Sequence, residues 1–254
     1  VIVLLAFASL GACGRSSLYR KSIPMKATVA DDDQCDRLPP NLWCDAGALT
    51  KQCGFEDQCN KFKTNNYNKK IDITFMYEGL CEGCQQYLTT VLNKLEDGFE
   101  DFVNVELVPY GNSWIENGTL NCQHGPDECK INAYESCVID TIKPWPQHLK
   151  FIVCLEEQLE QGESLDDAKA SCYKSMSIAD DVKEQIEGCT TSGRADELQK
   201  AAGDRTDGCT PDKHKWVPWL LINNVSAIGA QFVGEDLIGN ICQWWVGDKK
   251  IEAC

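Results

Sequence analysis

Positively charged residues are scarce in this chain. Its 254 residues include 24 Lys and Arg against 39 Asp and Glu, a formal net charge of −15. A surface this acidic argues against nucleic acid and anionic membrane surfaces as main partners, and its simplest consequence is solubility. The sequence also contains no internal repeat and no low-complexity tract.

The spacing of a conventional zinc site is also missing. The chain has three His residues, no His-x-x-x-His motif, and a single Cys-x-x-Cys pair formed by Cys81 and Cys84. The separations between Cys122, Cys129 and Cys137 do not fit a tetrahedral zinc finger either. We therefore expect no bound metal.

Cysteine, by contrast, is abundant. Sixteen cysteines are too many for reduced cytosolic thiols and favour the secretory pathway. Residues 1–12 look like the end of a truncated signal peptide; the tail of a membrane anchor and a lipid-attachment site at Cys13 are alternatives. The glycosylation sequons at Asn117 and Asn224 argue against bacterial lipid attachment. We expect no stable membrane insertion.

The remaining chain divides into four expected parts. Residues 13–34 are polar and resemble a linker or pro-segment, and residues 35–64 form a small module with four closely spaced cysteines. That module is too short for its own core, so disulfides must hold it together. The main domain is expected over residues 70–240, followed by a C-terminal tail over 241–254.

The hydrophobic pattern of the main domain predicts an α/β fold. A long helical region over about 130–203 separates two groups of shorter elements. The expected shorter elements are strands over 71–77, 103–109, 216–222 and 227–232, and helices over 85–96 and 235–245. The order βαβ, helical insert, ββα is that of a thioredoxin-like fold.

Cys81-Glu82-Gly83-Cys84 lies at the predicted junction between the first strand and the first helix. Unpaired backbone N–H groups and the helix dipole favour an anion there, so the Cys81 thiolate is expected to be stabilised. Glu82 opposes thiolate formation, whereas Gly83 removes bulk beside the sulfurs. A redox pair is the favoured interpretation; a structural disulfide and half of a zinc site are the alternatives.

A second candidate element is Val217-Pro218, just before a predicted strand. A cis proline there would lie beside the Cys81 pair and let the flanking backbone bind a substrate. An ordinary trans proline at an edge strand is the alternative. Trp216 and Trp219 could line this groove or pack in the core.

The third element is the loop from Cys122 to Cys129. His124 in this loop could tune Cys81 or relay protons to it, although a hydrogen-bonded loop histidine is the plainer interpretation. Asp127 is placed to cap the following helix. Thirteen cysteines are expected in structural disulfides of unknown pairing: Cys35, Cys44, Cys53, Cys59, Cys122, Cys129, Cys137, Cys154, Cys172, Cys189, Cys209, Cys242 and Cys254. Because thirteen is odd, either Cys13 survives in the mature chain, or one thiol is free or pairs between chains.

These motifs together resemble the gamma-interferon-inducible lysosomal thiol reductase family. The resemblance rests on Cys81-Glu82-Gly83-Cys84, on the Cys-Gln-His-Gly-x-x-Glu-Cys-x-x-Asn-x-x-x-x-Cys string over residues 122–137, and on residues 217–223; it covers about 71–254. It implies a thioredoxin-like fold, disulfide reduction under acidic conditions, and a lysosomal, endosomal or secreted destination. Asn224 replaces the glycine expected after Asn223.

Residues 35–60 resemble a saposin A-type module, through Cys35, Pro40, Trp43-Cys44, Cys53 and Cys59. That resemblance implies a small processing or sorting appendage. It does not establish lipid binding, because no amphipathic saposin B-type helices accompany it.

The expected function is therefore reduction of disulfide-bonded protein substrates. Cys81 attacks the substrate, Cys84 resolves the mixed disulfide, and an external low-molecular-weight thiol reduces the enzyme, so no cofactor is needed. The alternatives are a secretory-pathway oxidase or isomerase, and a non-catalytic disulfide-rich module that binds lipid or protein.

Overall fold

The computed structural model describes residues 32–254. The expected signal peptide over 1–12, and nearly all of the expected linker over 13–34, lie outside the described residues. The chain divides into two compact units, of which the first ends at Lys61 and the second comprises Phe62–Cys254.

Disulfides hold the first unit together. Its elements are α1 (Asp32–Arg37), a 3-10 turn (Pro40–Leu42), α2 (Ala48–Gln52) and the start of α3 (Glu56–Asn66). The bonds Cys35–Cys53 and Cys44–Cys59 connect these short helices. Helices of this length are marginal alone, so the cross-links supply order that a core of this size cannot.

A four-stranded sheet forms the centre of the second unit. The strands of the second unit are β1 (Ile71–Tyr77), β2 (Val103–Pro109), β3 (Trp114–Glu116), β4 (Thr119–Asn121), β5 (Trp219–Ile222) and β6 (Val225–Ser226). The sheet order is β2-β1-β5-β6, in which β1 pairs parallel with β2 and antiparallel with β5, and β6 pairs antiparallel with β5. This is the predicted thioredoxin-like arrangement.

Helices cover this sheet and form the insert. They are α4 (Glu82–Thr90), α5 (Pro126–Thr141), α6 (Trp145–Glu160), α7 (Leu165–Ser175), α8 (Asp180–Thr190), α9 (Gly193–Asp207), α10 (Ile228–Val233) and α11 (Leu237–Trp244), with 3-10 turns at Leu92–Leu95 and Gly234–Asp236. The predicted helix over 85–96 is thus α4 followed by a 3-10 turn. Within residues 32–254, no helix is both long enough and apolar enough to cross a bilayer.

One predicted strand is a helix. Residues 227–232 are mostly apolar and were expected to extend the last hairpin, but β6 has only two residues and α10 follows. The carboxylate of Asp212 accepts the N–H of Ile228, an orphan donor in the first turn of α10. This contact comes from outside the segment, so the local pattern could not indicate it.

The β3–β4 hairpin was also missed, since no strand was expected between residues 109 and 216. Asn117 and Gly118 both have positive φ at its turn, 50° and 80°. Asn-Gly is a strong hairpin signal, because both residues tolerate this conformation. The sequence therefore contained the information needed to predict this hairpin.

Twelve of the thirteen cysteines assigned to structural disulfides are paired. Besides the two bonds of the first unit, the pairs are Cys122–Cys129, Cys137–Cys189, Cys154–Cys172 and Cys242–Cys254. Cys209 is the exception and has a free thiol. It is buried in a small apolar cluster with Met76, Val108, Trp219 and Leu221, where no other cysteine is present. The assignment of Cys209 to a disulfide was wrong.

Loss of the Cys137–Cys189 bond should be costly. The bond joins α5 to α8 across a separation of 52 residues. Removing a cross-link over a loop of this size increases the conformational entropy of the unfolded chain, which lowers its free energy by about 4 kcal/mol. We expect the double substitution Cys137→Ala/Cys189→Ala to lower the free energy of unfolding by about that amount, measured by denaturant titration. Unchanged stability would contradict this cross-link.

Candidate redox site

Cys81 follows β1 and forms the N-cap of α4. Its Sγ accepts a hydrogen bond from the backbone N–H of Cys84 at 3.3 Å, one of the donors that a helix start leaves unpaired. The Cys81 side chain is partly exposed, whereas Cys84, one turn further on, is fully buried. Both carry free thiols in the structure. One sulfur is therefore reachable from solvent and the other is not.

The two thiols differ strongly in acidity. Hydrogen bonding from Cys84 lowers the pKa of Cys81 to about 7 against the opposing effect of burial; the charge of His124 also lowers it and that of Glu128 raises it. Burial raises the pKa of Cys84, and its hydrogen bond with Cys81 and the charge of that sulfur raise it further. Cys81 is the thiol that ionises, and Cys84 stays protonated beneath it.

The Val217–Pro218 peptide bond lies against Cys81 and is cis. The carbonyl oxygen of Val217 is 3.9 Å from Cys81 Sγ. A Cβ added at Gly83 would lie 3.7 Å from Pro218 Cδ, so the glycine and the proline face each other. The structure thus brings together two segments that are far apart in the sequence.

The two tryptophans beside this bond have different environments. Trp219 is fully buried, and its indole N–H donates to Ser226 Oγ at 2.8 Å. Trp216 is 40% exposed and packs edge-on against Trp219, with ring centroids 5.2 Å apart. Trp219 therefore belongs to the core, and Trp216 is available at the surface.

His124 lies in a cluster with two buried glutamates. Its Nδ1 is hydrogen-bonded to Glu128 Oε2 and lies 3.5 Å from Glu78 Oε2, and its backbone N–H donates to Glu128 Oε1 at 3.0 Å. Burial disfavours the charged ring, but the hydrogen bond to Glu128 and the charges of both glutamates outweigh this effect and raise the pKa of His124. The ring also interacts electrostatically with Cys81.

The predicted cap of α5 was misplaced by two residues. Gly125 occupies the N-cap position and Pro126 opens the helix, while Asp127 is exposed and pairs with Lys130. The carboxylate that accepts a backbone N–H at this end is that of Glu128. Neither Glu128 nor Glu78 was identified as a site residue from the sequence, although the i,i+4 spacing of His124 and Glu128 was a usable signal.

Glu78 is held by the loop after β2. Its Oε1 accepts the backbone N–H of Asn112. Gly111 has a φ of +57°, and a Cβ there would lie 2.4 Å from Glu78 Cγ, so only glycine fits. Burial raises the pKa of Glu78 to about 7; the charges of Glu128 and Cys81 raise it further, and the Asn112 hydrogen bond and His124 act against this rise.

Glu78, His124 and Glu128 form the one group within residues 32–254 that has metal-ligand chemistry. Their ligating atoms lie within 4.8 Å of one another. The Nδ1 atom that would face a cation is hydrogen-bonded to Glu128, so a proton already joins these side chains. We assign no metal to this group. The expected absence of a metal stays a prediction.

A second acidic pair lies deeper, below the start of α4. Glu135 and Glu156 are fully buried. Gln85 Nε2 donates to Glu156 Oε2 at 3.0 Å and also to the carbonyl of Gly79. Burial raises the pKa of both glutamates, that of Glu135 to about 7. No sequence pattern indicated this pair, because charged residues on an amphipathic helix ordinarily face water.

The remaining predicted site residues lie at the surface. Glu82 is exposed in the first turn of α4. Asn117 is exposed at the β3–β4 turn, and Asn224 is exposed at the β5–β6 turn, where its Oδ1 accepts a hydrogen bond from Arg205 at 2.8 Å. Tuning by Glu82 and glycosylation of both asparagines stay predictions.

Comparison with known proteins identifies relatives of this chain. The sequence model of the family described as gamma interferon inducible lysosomal thiol reductase (GILT) matches residues 72–176. A gamma-interferon-inducible lysosomal thiol reductase of Carassius auratus is 29% identical over 253 residues, covering 98% of this chain and 90% of the relative. The protein of the same name from Mus musculus is 30% identical over 190 residues, covering 72% of this chain and 71% of the relative.

Among solved structures, MdbA, a thiol-disulfide oxidoreductase from Corynebacterium diphtheriae, superposes with a TM-score of 0.45 and 16% sequence identity. The superposition covers 68% of this chain and 85% of that protein.

Proposed function

The chain belongs to the gamma interferon inducible lysosomal thiol reductase family, and from this membership we propose that Cys81 and Cys84 are the redox pair of a reductase acting on protein disulfides. The protein is a thiol-disulfide oxidoreductase. The observation that best supports the proposed site is the contrast between a partly exposed Cys81 with a lowered pKa and a buried Cys84 with a raised one.

The first chemical step belongs to Cys81. Its thiolate attacks one sulfur of the substrate disulfide, so a bond forms between Cys81 and that sulfur while the substrate S–S bond breaks. The second substrate sulfur leaves as a thiolate and takes a proton from water. Because only the thiolate attacks, the lowered pKa of Cys81 determines the rate of this step in acid.

Cys84 completes the cycle. Its thiol loses a proton and attacks Cys81 Sγ, which releases the substrate as a second thiol and leaves a Cys81–Cys84 disulfide. An external low-molecular-weight thiol then reduces this disulfide and is itself oxidised. Burial keeps Cys84 from competing for the incoming substrate, because its sulfur is out of reach until the mixed disulfide has formed.

Val217 and Pro218 are the proposed substrate groove. The cis bond leaves the Val217 backbone beside Cys81 Sγ, where an extended substrate segment could pair with it. Trp216 offers an exposed aromatic surface at the same place. The partner class that fits is an unfolded or extended disulfide-bonded polypeptide.

An acidic endosomal or lysosomal compartment, or the space outside the cell, is the proposed location. The names of the relatives suggest it. The chemistry is consistent with it: at about pH 5, a thiol with a pKa of about 7 is roughly 30 times more ionised than an ordinary cysteine at about 8.5.

His124 is the proposed tuning residue, and its removal should raise the pKa of Cys81. The imidazolium stabilises the neighbouring thiolate, and its own raised pKa keeps it charged in acid. In His124→Gln, we expect the rate of Cys81 alkylation by iodoacetamide to fall most at acidic pH. Each unit by which the pKa of Cys81 rises lowers the thiolate fraction there about tenfold.

His214→Gln is the matched control, because His214 is another partly buried histidine with no contact to Cys81 among the described residues. It should leave the alkylation profile unchanged. An unchanged profile in His124→Gln would remove His124 from the proposed site.

A further inference from the structure

Glu78 is a buried carboxyl group with no function in the thiol chemistry described above. Its side chain is fully buried, between the end of β1 and the start of α4. Oε1 accepts the N–H of Asn112, whereas Oε2 has no hydrogen-bond partner and faces His124 Nδ1 at 3.5 Å. A buried carboxylate oxygen without a donor is costly, so this position favours the protonated form.

The charged groups around Glu78 belong to three elements. His124 and Glu128 come from the start of α5 and the loop before it, and Cys81 and Cys84 come from the start of α4. Glu156, on α6, interacts electrostatically with Cys81. Glu128 is tied to His124 through both of its carboxylate oxygens. Glu78 is thus the member of the cluster with an oxygen free to take up a proton.

We propose, resting on the function proposed above, that Glu78 acts through His124 to control the ionisation of Cys81. The buried Glu78 carboxyl group takes up a proton as the surroundings acidify. The His124 imidazolium then interacts with the Cys81 thiolate without a competing negative charge from Glu78. At neutral pH, the Glu78 carboxylate competes with the thiolate for that imidazolium. On acidification, Glu78 takes up a proton in the same pH range as Cys81, and beside a neutral Glu78 the thiolate persists further into the acidic range than it would beside a charged one.

The direction of this effect follows from the charges. An ionised Glu78 adds a negative charge that disfavours the thiolate, and a neutral Glu78 does not. The pKa of about 7 for both Glu78 and Cys81 places the two titrations in the same range, where they must influence each other. Two groups coupled in this way titrate over a wider pH range than either would alone.

Glu78→Gln tests the proposal, because glutamine keeps the acceptor for Asn112 but never ionises. The measurement is the iodoacetamide alkylation rate of Cys81 in the fully reduced chain across pH, followed by mass spectrometry of the Cys81 peptide. We expect the alkylation rate of the variant to rise over a narrower pH range than that of the wild type. The midpoint of this rise should lie at a proton concentration about three times higher. At about pH 5, where Glu78 is already protonated, the two rates should agree.

Two further variants separate charge from structure. Glu78→Asp keeps an ionisable group and should restore the broad profile. Asp127→Asn removes an exposed carboxylate next to Glu128 and should leave the wild-type profile intact. An unchanged profile in Glu78→Gln would overturn the proposal, and so would an equal change at acidic and neutral pH, which would indicate a general disturbance. Because no substrate takes part, these outcomes are independent of whether the chain reduces protein disulfides.

Discussion

Cys81→Ser should abolish the reduction of protein disulfides. The hydroxyl that replaces the thiol has nearly the same size but does not ionise near neutral pH, so the helix start has no thiolate to stabilise. Cys84 cannot substitute for it, because its sulfur is fully buried and its pKa is raised. The rate of insulin disulfide reduction should therefore fall to that of the external thiol alone.

Cys209→Ala is the control for this experiment. Among the described residues, Cys209 is the free cysteine besides Cys81 and Cys84, and it lies in the small apolar cluster with Trp219. Its loss should leave the rate per folded molecule unchanged. Substantial activity in Cys81→Ser, with a folded protein shown by circular dichroism, would exclude Cys81 as the attacking group.

Cys84→Ser should convert the enzyme into a trap. Cys81 still attacks, but no second thiol is present to release it, so the substrate stays covalently bound. We expect almost no turnover and a stoichiometric mixed disulfide, seen on non-reducing gels and released by dithiothreitol. Serine keeps a hydroxyl that can donate to Cys81 Sγ, so the hydrogen bonding that lowers the pKa of Cys81 is retained and the first attack should proceed.

The double variant Cys81→Ser/Cys84→Ser is the matched control for trapping, since it retains the groove and removes both sulfurs. It should form no adduct. If Cys84→Ser turned over at the wild-type rate without an adduct, an external thiol would be performing the resolving step, and Cys84 would have no such role.

The part of the fold that carries the proposed redox pair was predictable from the sequence. The alternating run over residues 71–77 and the apolar run over 103–109 each point to a strand, and Cys81 and Cys84 stand directly after the first. Which faces of a strand are buried determines where its apolar residues occur, so the spacing of apolar residues indicates the strand. The cis Val217–Pro218 bond was placed by its position in the same plan.

The rest depended on contacts that periodicity does not record. The pairing of Cys137 with Cys189 follows from how α5 packs on α8, and many pairings were compatible with the same cysteines. Glu78 and His124 meet because the loop at Asn112 holds the first and the start of α5 holds the second. The segment of α10 was predicted to be a strand. The Asp212 carboxylate that accepts the backbone N–H of Ile228 at the start of this helix lies outside the segment, so the local pattern did not indicate it.

The six cross-links within residues 32–254 differ in how well they are shielded, and this difference matters if a small thiol regenerates the protein as proposed. Four of them have at least one buried sulfur, contributed by Cys59, Cys122, Cys137 and Cys172. Cys35–Cys53 and Cys242–Cys254 have none. Thiol exchange requires access to sulfur, so the proposed external thiol should open these two bonds first. Loss of disulfides should therefore begin at Cys35–Cys53 and Cys242–Cys254 and leave the bonds with a buried sulfur intact for longer.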